Sequence, residues 1–254
     1  MESLKAGREF LRADIWEDWR NLETDQKNRV QRPPPEQPWP DGATLIDLVS
    51  PEDLTVGTMP LIQAIGRRKS RRRYTSDPLT LEELSFLLWS TQGVQETTPD
   101  GSSLYRTVPS AGARHPFETY LLAQRVTGLE FGLYRYLSLN HELCFLRRDP
   151  DLVDRIHKAC FDQYVSDSAV VLIWTAIPYR MEWRYGTISP KLIALDAGHV
   201  CQNLYLACES IGAGTCAIGA YDQKRMDAAI DVDGQEEFTV YLAPVGRIGD
   251  TAER

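Results

Sequence analysis

Apolar residues recur along the chain with two periods, which predict a long helix and buried strands. From residue 193 to residue 211 they fall at steps of three and four, which indicates one long core helix that ends at Gly212. Residues 170–176 form a continuous apolar run rich in β-branched side chains, which is typical of a strand buried on both faces. Residues 238–245 have a similar composition, so both runs are expected in a central sheet.

Shorter patterns predict the elements around this core. Strand composition at residues 117–126, 133–136 and 142–148, with turn residues between them, indicates an antiparallel meander. Pro60 opens a helical segment, and Thr80 followed by acidic residues predicts the N-cap of a helix that ends near Gly93. We expect a polar loop at 95–103 and a last short helix at 222–230.

The first 41 residues differ from the rest of the chain. Apolar side chains at helical spacing within residues 2–28 predict an amphipathic helix, and five prolines within residues 32–41 predict an extended connector. We therefore expect a helical arm and Pro-rich connector at 1–41, followed by one main domain at 42–254.

Composition narrows the classes of protein to which the chain could belong. It has 254 residues, of which 43% are hydrophobic and 25% charged, as in ordinary globular proteins. The formal net charge of −8 argues against nucleic-acid binding, and no apolar run is long enough to cross a membrane. Five cysteines without a C-x-x-C pair indicate reduced thiols, and the histidine spacing predicts no metal site. We expect a cytoplasmic protein.

The densest positive charge lies in the sequence R-R-K-S-R-R-R at residues 67–73. If this segment is extended, Arg68, Ser70 and Arg72 share one face and can bind a single phosphate group. Arg247, at the end of the last predicted strand, is a further candidate cation for that site. A solvated basic run, or a patch for a polyanion, is the alternative interpretation of the segment.

Two glycine-containing segments are candidates for contact with a flat ring. The sequence P-S-A-G-A-R-H-P at residues 109–116 allows a ring to approach its backbone, and Ser110 and Arg114 can bond to a polar ring edge. The sequence G-A-G-T-C-A-I-G-A at residues 212–220 can offer backbone N–H groups to a redox-active ring nitrogen. A simple tight turn and a simple helix C-cap are the alternatives.

Five ordered blocks together resemble one family. They are R-R-K-S-R-R-R-Y-T, P-L-T-L-E-E-L-S-F-L-L-W-S-T-Q-G-V, R-T-V-P-S-A-G-A-R-H-P, L-D-A-G-H-V-C-Q-N-L-Y-L-A and A-P-V-G-R, spread over residues 60–247. In this order they resemble the nitroreductase superfamily, and most closely its SagB/ThcOx-type dehydrogenase branch.

The resemblance implies an α+β fold with a mixed, mainly antiparallel sheet flanked by helices. It also implies an intertwined homodimer that binds FMN at the subunit interface, with the long core helix as the dimer helix. Arg68, Lys69, Ser70, Arg72 and Arg247 would hold the phosphate and ribityl chain. Along the ring would lie Pro109, Ser110, Ala111 and Gly112, with Arg114 at its pyrimidine edge and Ile218, Gly219 and Ala220 near N5.

One pair departs from the family pattern. Azoline-oxidising members of the branch share a Lys-Tyr pair, whereas this sequence has Arg184 and Tyr185 at the matching positions. Arginine keeps its proton at ordinary pH, so it cannot act as a general base, although it can clamp an anion. We keep both residues as catalytic candidates, although a packed aromatic explains Tyr185 about as well. We interpret Asp196 and His199 as hydrogen-bonded residues of the core helix.

The leading hypothesis is an FMN-dependent oxidoreductase that moves hydride between flavin and a small organic or peptide-derived substrate. It would act as a dehydrogenase or as a reductase with NAD(P)H as a transient donor. The second hypothesis is a non-catalytic flavin-binding subunit that docks on a biosynthetic partner. A polyanion-binding protein is the third, and the acidity of the chain argues against it.

Overall fold

The computed structural model describes residues 2–98 and 104–249. Helices in this part are α1 (Glu2–Leu11), α2 (Leu61–Arg67), α3 (Leu81–Gln92), α4 (Leu152–Ala159), α5 (Tyr179–Tyr185), α6 (Ser189–Ser210) and α7 (Gln223–Ile230). Strands are β1 (Leu45–Asp47), β2 (Val94–Thr97), β3 (Leu104–Arg106), β4 (Phe117–Ala123), β5 (Gly132–Leu137), β6 (Glu142–Arg147), β7 (Val170–Ala176), β8 (Ala213–Thr215) and β9 (Phe238–Arg247). In these ranges, no helix is both long and apolar enough to cross a bilayer.

Seven of these strands form the central sheet, in the order β1-β6-β5-β4-β7-β9-β8. All pairings between its described strands are antiparallel, and an isolated parallel bridge joins Leu79 to Val126. The predicted meander is confirmed as β4, β5 and β6, and the two predicted buried strands are β7 and β9. Strands β2 and β3 form a separate hairpin.

Helices cover both faces of the sheet, and strand β7 shows how one sequence serves both. Leu172 and Trp174 lie in the core beneath α3 and α6, whereas Val171 and Ile173 lie in the core beneath α4 and α7. Successive side chains of a strand point to opposite faces, so a run buried on both sides must be apolar throughout. The expected α+β fold, a mainly antiparallel sheet flanked by helices, is confirmed.

Two predicted helices form for the expected reasons. Thr80 Oγ1 accepts a hydrogen bond from the Glu83 N–H at 3.1 Å, and the Glu83 carboxylate accepts one from the Thr80 N–H at 2.8 Å, a capping box that starts α3. Helix α6 covers the predicted apolar repeat and stops just before Gly212, whose φ of +67° favours glycine.

Three predictions need correction or addition. The amphipathic helix expected over residues 2–28 ends at Leu11, and residues 14–16 form a short 3₁₀ turn instead. Further on, Thr24 Oγ1 accepts the Lys27 N–H, a side-chain bond that competes with helical hydrogen bonds. Residues 95–97, expected in a loop, belong to β2, and the part of that loop at 99–103 lies outside the described residues. The short elements β1, α4, α5 and β8 had not been predicted.

The proline-rich connector packs against the main domain. It contains neither helix nor strand, as predicted. The Gln37 N–H donates to Glu118 at 2.8 Å, and Arg135 donates to the Pro38 carbonyl at 2.8 Å. Glu118 also forms a buried ion pair with Arg180, 2.5 Å long, so the connector runs over a charged cluster at the start of β4 and α5.

Candidate functional site

The basic segment leaves α2 in an extended conformation, and two of its predicted phosphate ligands meet at one tyrosine. The guanidinium of Arg68 lies 5.4 Å from the centroid of the Tyr205 ring, and Ser70 Oγ lies 3.1 Å from Tyr205 Oη. The same Tyr205 oxygen accepts the Ala217 N–H at 2.9 Å. The structure therefore places Arg68 and Ser70 together beside α6, where both are half-buried.

The other members of the basic segment point in different directions. Arg72 is exposed and stacks over Tyr164 at 5.6 Å, and Lys69 is exposed. Arg71 turns inward, where its guanidinium lies 3.5 Å from Glu209 and is only 13% exposed. The inward direction of Arg71 agrees with the alternation that the sequence predicts for an extended segment.

Arg247 already has partners within the chain. Its guanidinium makes a two-pronged ion pair with Glu83, at 2.6 and 2.7 Å, and donates to the Ile211 carbonyl at 2.8 Å. These bonds join the end of β9 to the start of α3 and the end of α6. As a phosphate ligand, Arg247 would have to give up these bonds.

The predicted ring-contacting turn is anchored to α6 by a buried carboxylate. Ser110 Oγ donates to Asp196 at 2.5 Å and accepts the His115 N–H at 2.9 Å, while the Ala111 N–H lies 3.3 Å from both oxygens of Asp196. Burial raises the pKa of Asp196, and the bonds from Ser110 and Ala111 partly offset that effect. Residues 111–113 form a short 3₁₀ turn, so Asp196 holds the turn in place.

Gly112 brings this turn into contact with the Arg184–Tyr185 pair. Its φ is +58°, and a Cβ at this position would lie 2.6 Å from Tyr185 Oη and 2.9 Å from Arg184 Nε. The Arg184 guanidinium also lies 5.5 Å from the centre of the Tyr185 ring. The structure thus brings the two catalytic candidates to the turn, and only glycine fits where they touch it.

The corner behind the turn is strongly positive. Arg114 is 5% exposed, stacks over Trp183 at 5.0 Å, and has a buried Nε with no hydrogen-bond partner in the described ranges. Burial, with the nearby charges of Arg32 and Arg184, lowers the pKa of Arg114 to about 10. Burial and the charge of Arg106 likewise lower the pKa of His115 to about 3, so this imidazole is neutral.

Residues 218–220 border a cleft. Ile218 is paired with Leu242 in the sheet and its N–H donates to that residue's carbonyl at 2.7 Å, so this N–H is not free for a ring nitrogen. Gly219 lines an apolar cleft of about 740 Å³ between α5, α6 and β9. Next to it, Ala220 is exposed, and its carbonyl accepts a bond from Gln163. Other walls of the cleft are Ile193, Ala197, Gly198, Phe238, Val240 and Tyr241.

Helix α6 carries the two groups of candidates on opposite faces. Gly198 of the cleft and Tyr205 are seven positions apart, so they share a face and lie about 10 Å apart along the axis. Nine positions separate Asp196 from Tyr205, which is about two and a half turns. The phosphate candidates and the Gly219 cleft therefore lie on one side of α6, and the Asp196-anchored turn on the other.

Two residues that organise the site were not assigned to it from the sequence. Asp196 had been interpreted as a hydrogen-bonded core residue, which it is, but its partner is the predicted ring-contacting turn. Tyr205 had been assigned no role. An acidic residue on an otherwise buried helix face needs a polar partner, and this is the signal that could have singled out Asp196.

Comparison with known proteins decides the family. The sequence model of the nitroreductase family matches residues 65–247, which is most of the chain. The chain belongs to the nitroreductase family. Members of this family are flavin-dependent oxidoreductases and typically bind FMN.

Relatives within the nitroreductase family include a nitroreductase-type protein of Methanocaldococcus jannaschii, 34% identical over 71% of this chain and 87% of the relative. The trifolitoxin-processing protein TfxB of Rhizobium leguminosarum bv. trifolii is 30% identical over 44% of this chain, but the match spans only 31% of TfxB. A crystal structure of a nitroreductase-type protein from Anabaena variabilis superposes with a TM-score of 0.66 and 26% identity. That match covers 82% of this chain and 42% of the Anabaena protein.

Proposed function

We propose that this chain is a cytoplasmic, homodimeric FMN-dependent oxidoreductase that transfers hydride between the flavin and a small organic or peptide-derived substrate. The observation that carries the proposal is the common face of α6 shared by Arg68, Ser70 and the Gly219 cleft. A phosphate at Arg68 and Ser70 would lie about 10 Å along the helix from the cleft, a distance that a ribityl chain can span.

The residues present suit FMN. Arg68 and Ser70 supply a charged and a neutral donor for the phosphate, and exposed Arg72 and Lys69 add positive charge nearby. Gly219 and Ala220 would border the ring near N5, while Ile218 supports them from the sheet. We leave Arg247 out of this phosphate site, because Glu83 and Ile211 already hold its guanidinium.

A second copy of the chain completes the proposed site. Pro109, Ser110, Ala111 and Gly112, with Arg114 behind them, lie on the side of α6 opposite the phosphate candidates. One flavin therefore cannot easily reach both groups within one chain. Exposed apolar residues on α2 and α6, such as Ile62 at 81% and Leu195 at 51%, supply a surface for the partner.

The bound flavin would supply the hydride chemistry, and the residues of the chain would tune and orient it. The buried positive charge of Arg114 suits the polar edge of a reduced, anionic flavin. Tyr185 places a hydroxyl at the turn, where it can donate a proton to the substrate or accept one. An arginine side chain is a poor base at ordinary pH, so the role proposed for Arg184 is to stabilise negative charge rather than to take a proton.

The SagB/ThcOx-type branch is the finer part of the proposal. The order of the five sequence blocks and the similarity to TfxB, which is named as a trifolitoxin-processing protein, support a peptide-derived substrate. A reductase that uses NAD(P)H as a transient donor is the other direction of the same chemistry. The replacement of the branch's lysine by Arg184 argues against a mechanism that needs a lysine base.

The first test is the visible absorption spectrum of the purified protein, followed by identification of the cofactor that heat releases. We expect flavin bands and FMN. The Arg68→Gln, Ser70→Ala double variant should lose most of the FMN because both phosphate donors are gone, whereas Arg225→Gln, an exposed arginine on α7, should retain it. A colourless protein that FMN cannot reconstitute would refute the proposal, and full FMN retention in the double variant would refute the phosphate site.

A non-catalytic flavin-binding subunit is the second candidate. The exposed apolar residues of α1, Leu4, Phe10 and Leu11, favour it because they offer a surface to a biosynthetic partner. Reduction of the bound flavin by NAD(P)H, and its reoxidation by air or a quinone, separates the two functions. Redox cycling supports the enzyme; its absence with every donor and acceptor supports the scaffold.

A further inference from the structure

Residues 12–30 wrap around the end of α5 and the start of α6. The Gln26 N–H donates to the Trp183 carbonyl at 2.8 Å, Trp183 Nε1 donates to the Val30 carbonyl at 3.0 Å, and Lys191 donates to the carbonyls of Leu11 and Arg12. This segment lies before residue 65, where the match to the family begins. We call it the added segment, because it lies outside the residues that the family model matches.

A cavity of about 340 Å³ lies beneath this segment. Trp16 meets Tyr185 edge to face with ring centres 6.1 Å apart, so the aromatic walls belong to both the added segment and the family core. A cavity of this size, mainly apolar with a few polar groups, is in the range of small-ligand sites. It is lined by Trp16, Trp19, Leu22, Tyr185 and Ile188, with Thr24, Gln26, Lys27 and Arg184 as the polar contributions.

Two cations, Arg184 and Lys27, line this cavity. The ammonium of Lys27 is already bonded to the carbonyls of Arg20 and Leu22. Arg184 is exposed and contacts the Tyr185 ring, and in the described ranges no carboxylate pairs with it. Its guanidinium is therefore the group that can bind an anion in the cavity.

Arg184 also lines a second cavity, of about 510 Å³, which borders Pro109, Ser110 and Gly112. Arg184 therefore borders both cavities. An acidic group held by Arg184 would lie at the boundary between the aromatic cavity and the turn that we assign to the flavin ring. A ring packed against Trp16 and Tyr185 would then extend away from the turn.

We propose that the added segment and the Arg184–Tyr185 pair form a substrate-recognition pocket for a flat aromatic ring that carries a carboxylate. Trp16 and Tyr185 together form the aromatic wall against which the ring packs, and Arg184 binds the carboxylate in a charge-assisted pair. As a substrate pocket it rests on the proposed function, because the turn it borders is the one assigned to the flavin. The walls of the pocket come from this chain alone, so binding to it does not depend on FMN.

Calorimetric titration of the full chain with indole-3-acetate tests this proposal. Indole-3-acetamide, which has the same shape without the charge, is the matched ligand. We expect saturable binding of the acid at one site per chain, and at least tenfold weaker binding of the amide. Trp16→Ala and Arg184→Gln should each weaken acid binding at least tenfold, whereas the controls Trp39→Ala in the connector and Arg225→Gln on α7 should not.

Each titration is carried out with FMN-loaded and with FMN-stripped protein, and the flavin spectrum is recorded at saturation. Binding that survives removal of FMN and depends on both Trp16 and Arg184 supports the pocket even if the redox function fails. Equal binding of acid and amide would overturn the proposal. It would also be overturned by binding that is unchanged in Trp16→Ala, or that perturbs the flavin spectrum equally in every variant, since the ligand would then lie on the ring.

Discussion

At the scale of single residues, Gly112 is constrained in two ways at once. It combines a left-handed φ of +58° with contact distances that leave no room for a Cβ between Tyr185 and Arg184. Gly128 has a φ of +89° but nothing within 4 Å of the Cβ position. Substitution at the two glycines therefore separates two contributions to the loss of stability: the unfavourable backbone conformation, and the displacement of the catalytic candidates.

We predict that Gly112→Ala will cost about 2–3 kcal/mol of unfolding free energy and weaken FMN binding, because it pushes Arg184 and Tyr185 away from the turn. Gly128→Ala should cost only about 1 kcal/mol, from backbone strain alone, and leave FMN binding intact. Urea unfolding and the flavin absorbance measure both effects. Identical stability losses in the two variants would show that the contacts at Gly112 relax freely.

His115 links the turn to the dependence of stability on pH. Its pKa is lowered from 6.5 to about 3 in the folded chain, so it stays neutral there while the unfolded chain takes up a proton below pH 6.5. The free energy of unfolding should therefore fall as the pH drops from 6.5 towards 3, by an amount on the order of a few kcal/mol.

His115→Gln should remove this contribution, so the stability difference between wild type and variant should shrink as the pH is lowered from 7 to 4.5. Urea unfolding at a series of pH values measures it. A wild-type-to-variant difference that is constant over this range would mean that His115 takes up its proton equally in both states.

At the scale of secondary-structure elements, Arg247 and Glu83 connect three of them. Glu83 caps α3 through the Thr80 N–H and also pairs with Arg247 at the end of β9. Arg247 in turn donates to the Ile211 carbonyl, directly after α6. The Glu83 side chain is 8% exposed, so removal of its partner leaves a nearly buried charge.

We predict that Arg247→Met will lower the free energy of unfolding by about 2–3 kcal/mol. The loss is smaller than for a fully buried pair because the arginine is 26% exposed. The folded variant should keep its FMN. Arg225→Met, which breaks an exposed pair on α7, should change stability by less than about 0.5 kcal/mol. Thermal unfolding with flavin absorbance measures both. Loss of FMN with unchanged stability would instead return Arg247 to the phosphate site.

The elements that the sequence predicted correctly are those in which many positions agree. Helix α6 and strand β7 have repeats long enough to fix both type and extent. Helix α5 has only seven residues, too few for a helix that is stable alone, and it depends on contacts such as the buried Arg180–Glu118 pair. That pair joins positions 62 residues apart, which no local pattern indicates.

The same limit applies to the candidate site. Alternation alone was enough to place Arg68 and Ser70 on one side of an extended segment, with Arg71 turned inward. Arg72, expected beside Arg68 and Ser70, lies over Tyr164 instead. The bond from Ser110 to Asp196 joins positions 86 residues apart, and the contact of Gly112 with Tyr185 likewise depends on the tertiary fold. The division of the candidates between two faces of α6 could be found only once the turn was located.

At the scale of the whole molecule, the proposed dimer can be tested by complementation between subunits. In one subunit Arg68→Gln and Ser70→Ala remove the phosphate donors, and in the other Gly112→Val disrupts the turn. Each homodimer should lack FMN. If every site combines donors from one chain with the turn of the other, the mixed dimer keeps one intact site, and we expect one FMN per mixed dimer. A mixed dimer without FMN would place the whole site within one chain.

The apolar surface of α2 gives an independent test of the same assembly. Ile62 is 81% exposed and should be covered by the partner. Ile62→Lys should therefore shift the protein to monomers and weaken FMN binding, whereas Leu139→Lys, in the exposed turn between β5 and β6, should do neither. Light scattering after size-exclusion chromatography measures the mass, and an unchanged dimer would contradict this interface.

Strand β9 is the last described strand in the sequence, yet it lies inside the sheet, between β7 and β8. During synthesis, strand β7 has no partner on its β9 side until residues 238–247 have left the ribosome. An unpaired strand edge of this kind invites association with other chains. The yield of folded protein should therefore depend on chaperones that shield the growing chain, and a ribosome stalled just before residue 238 should present a species that aggregates readily.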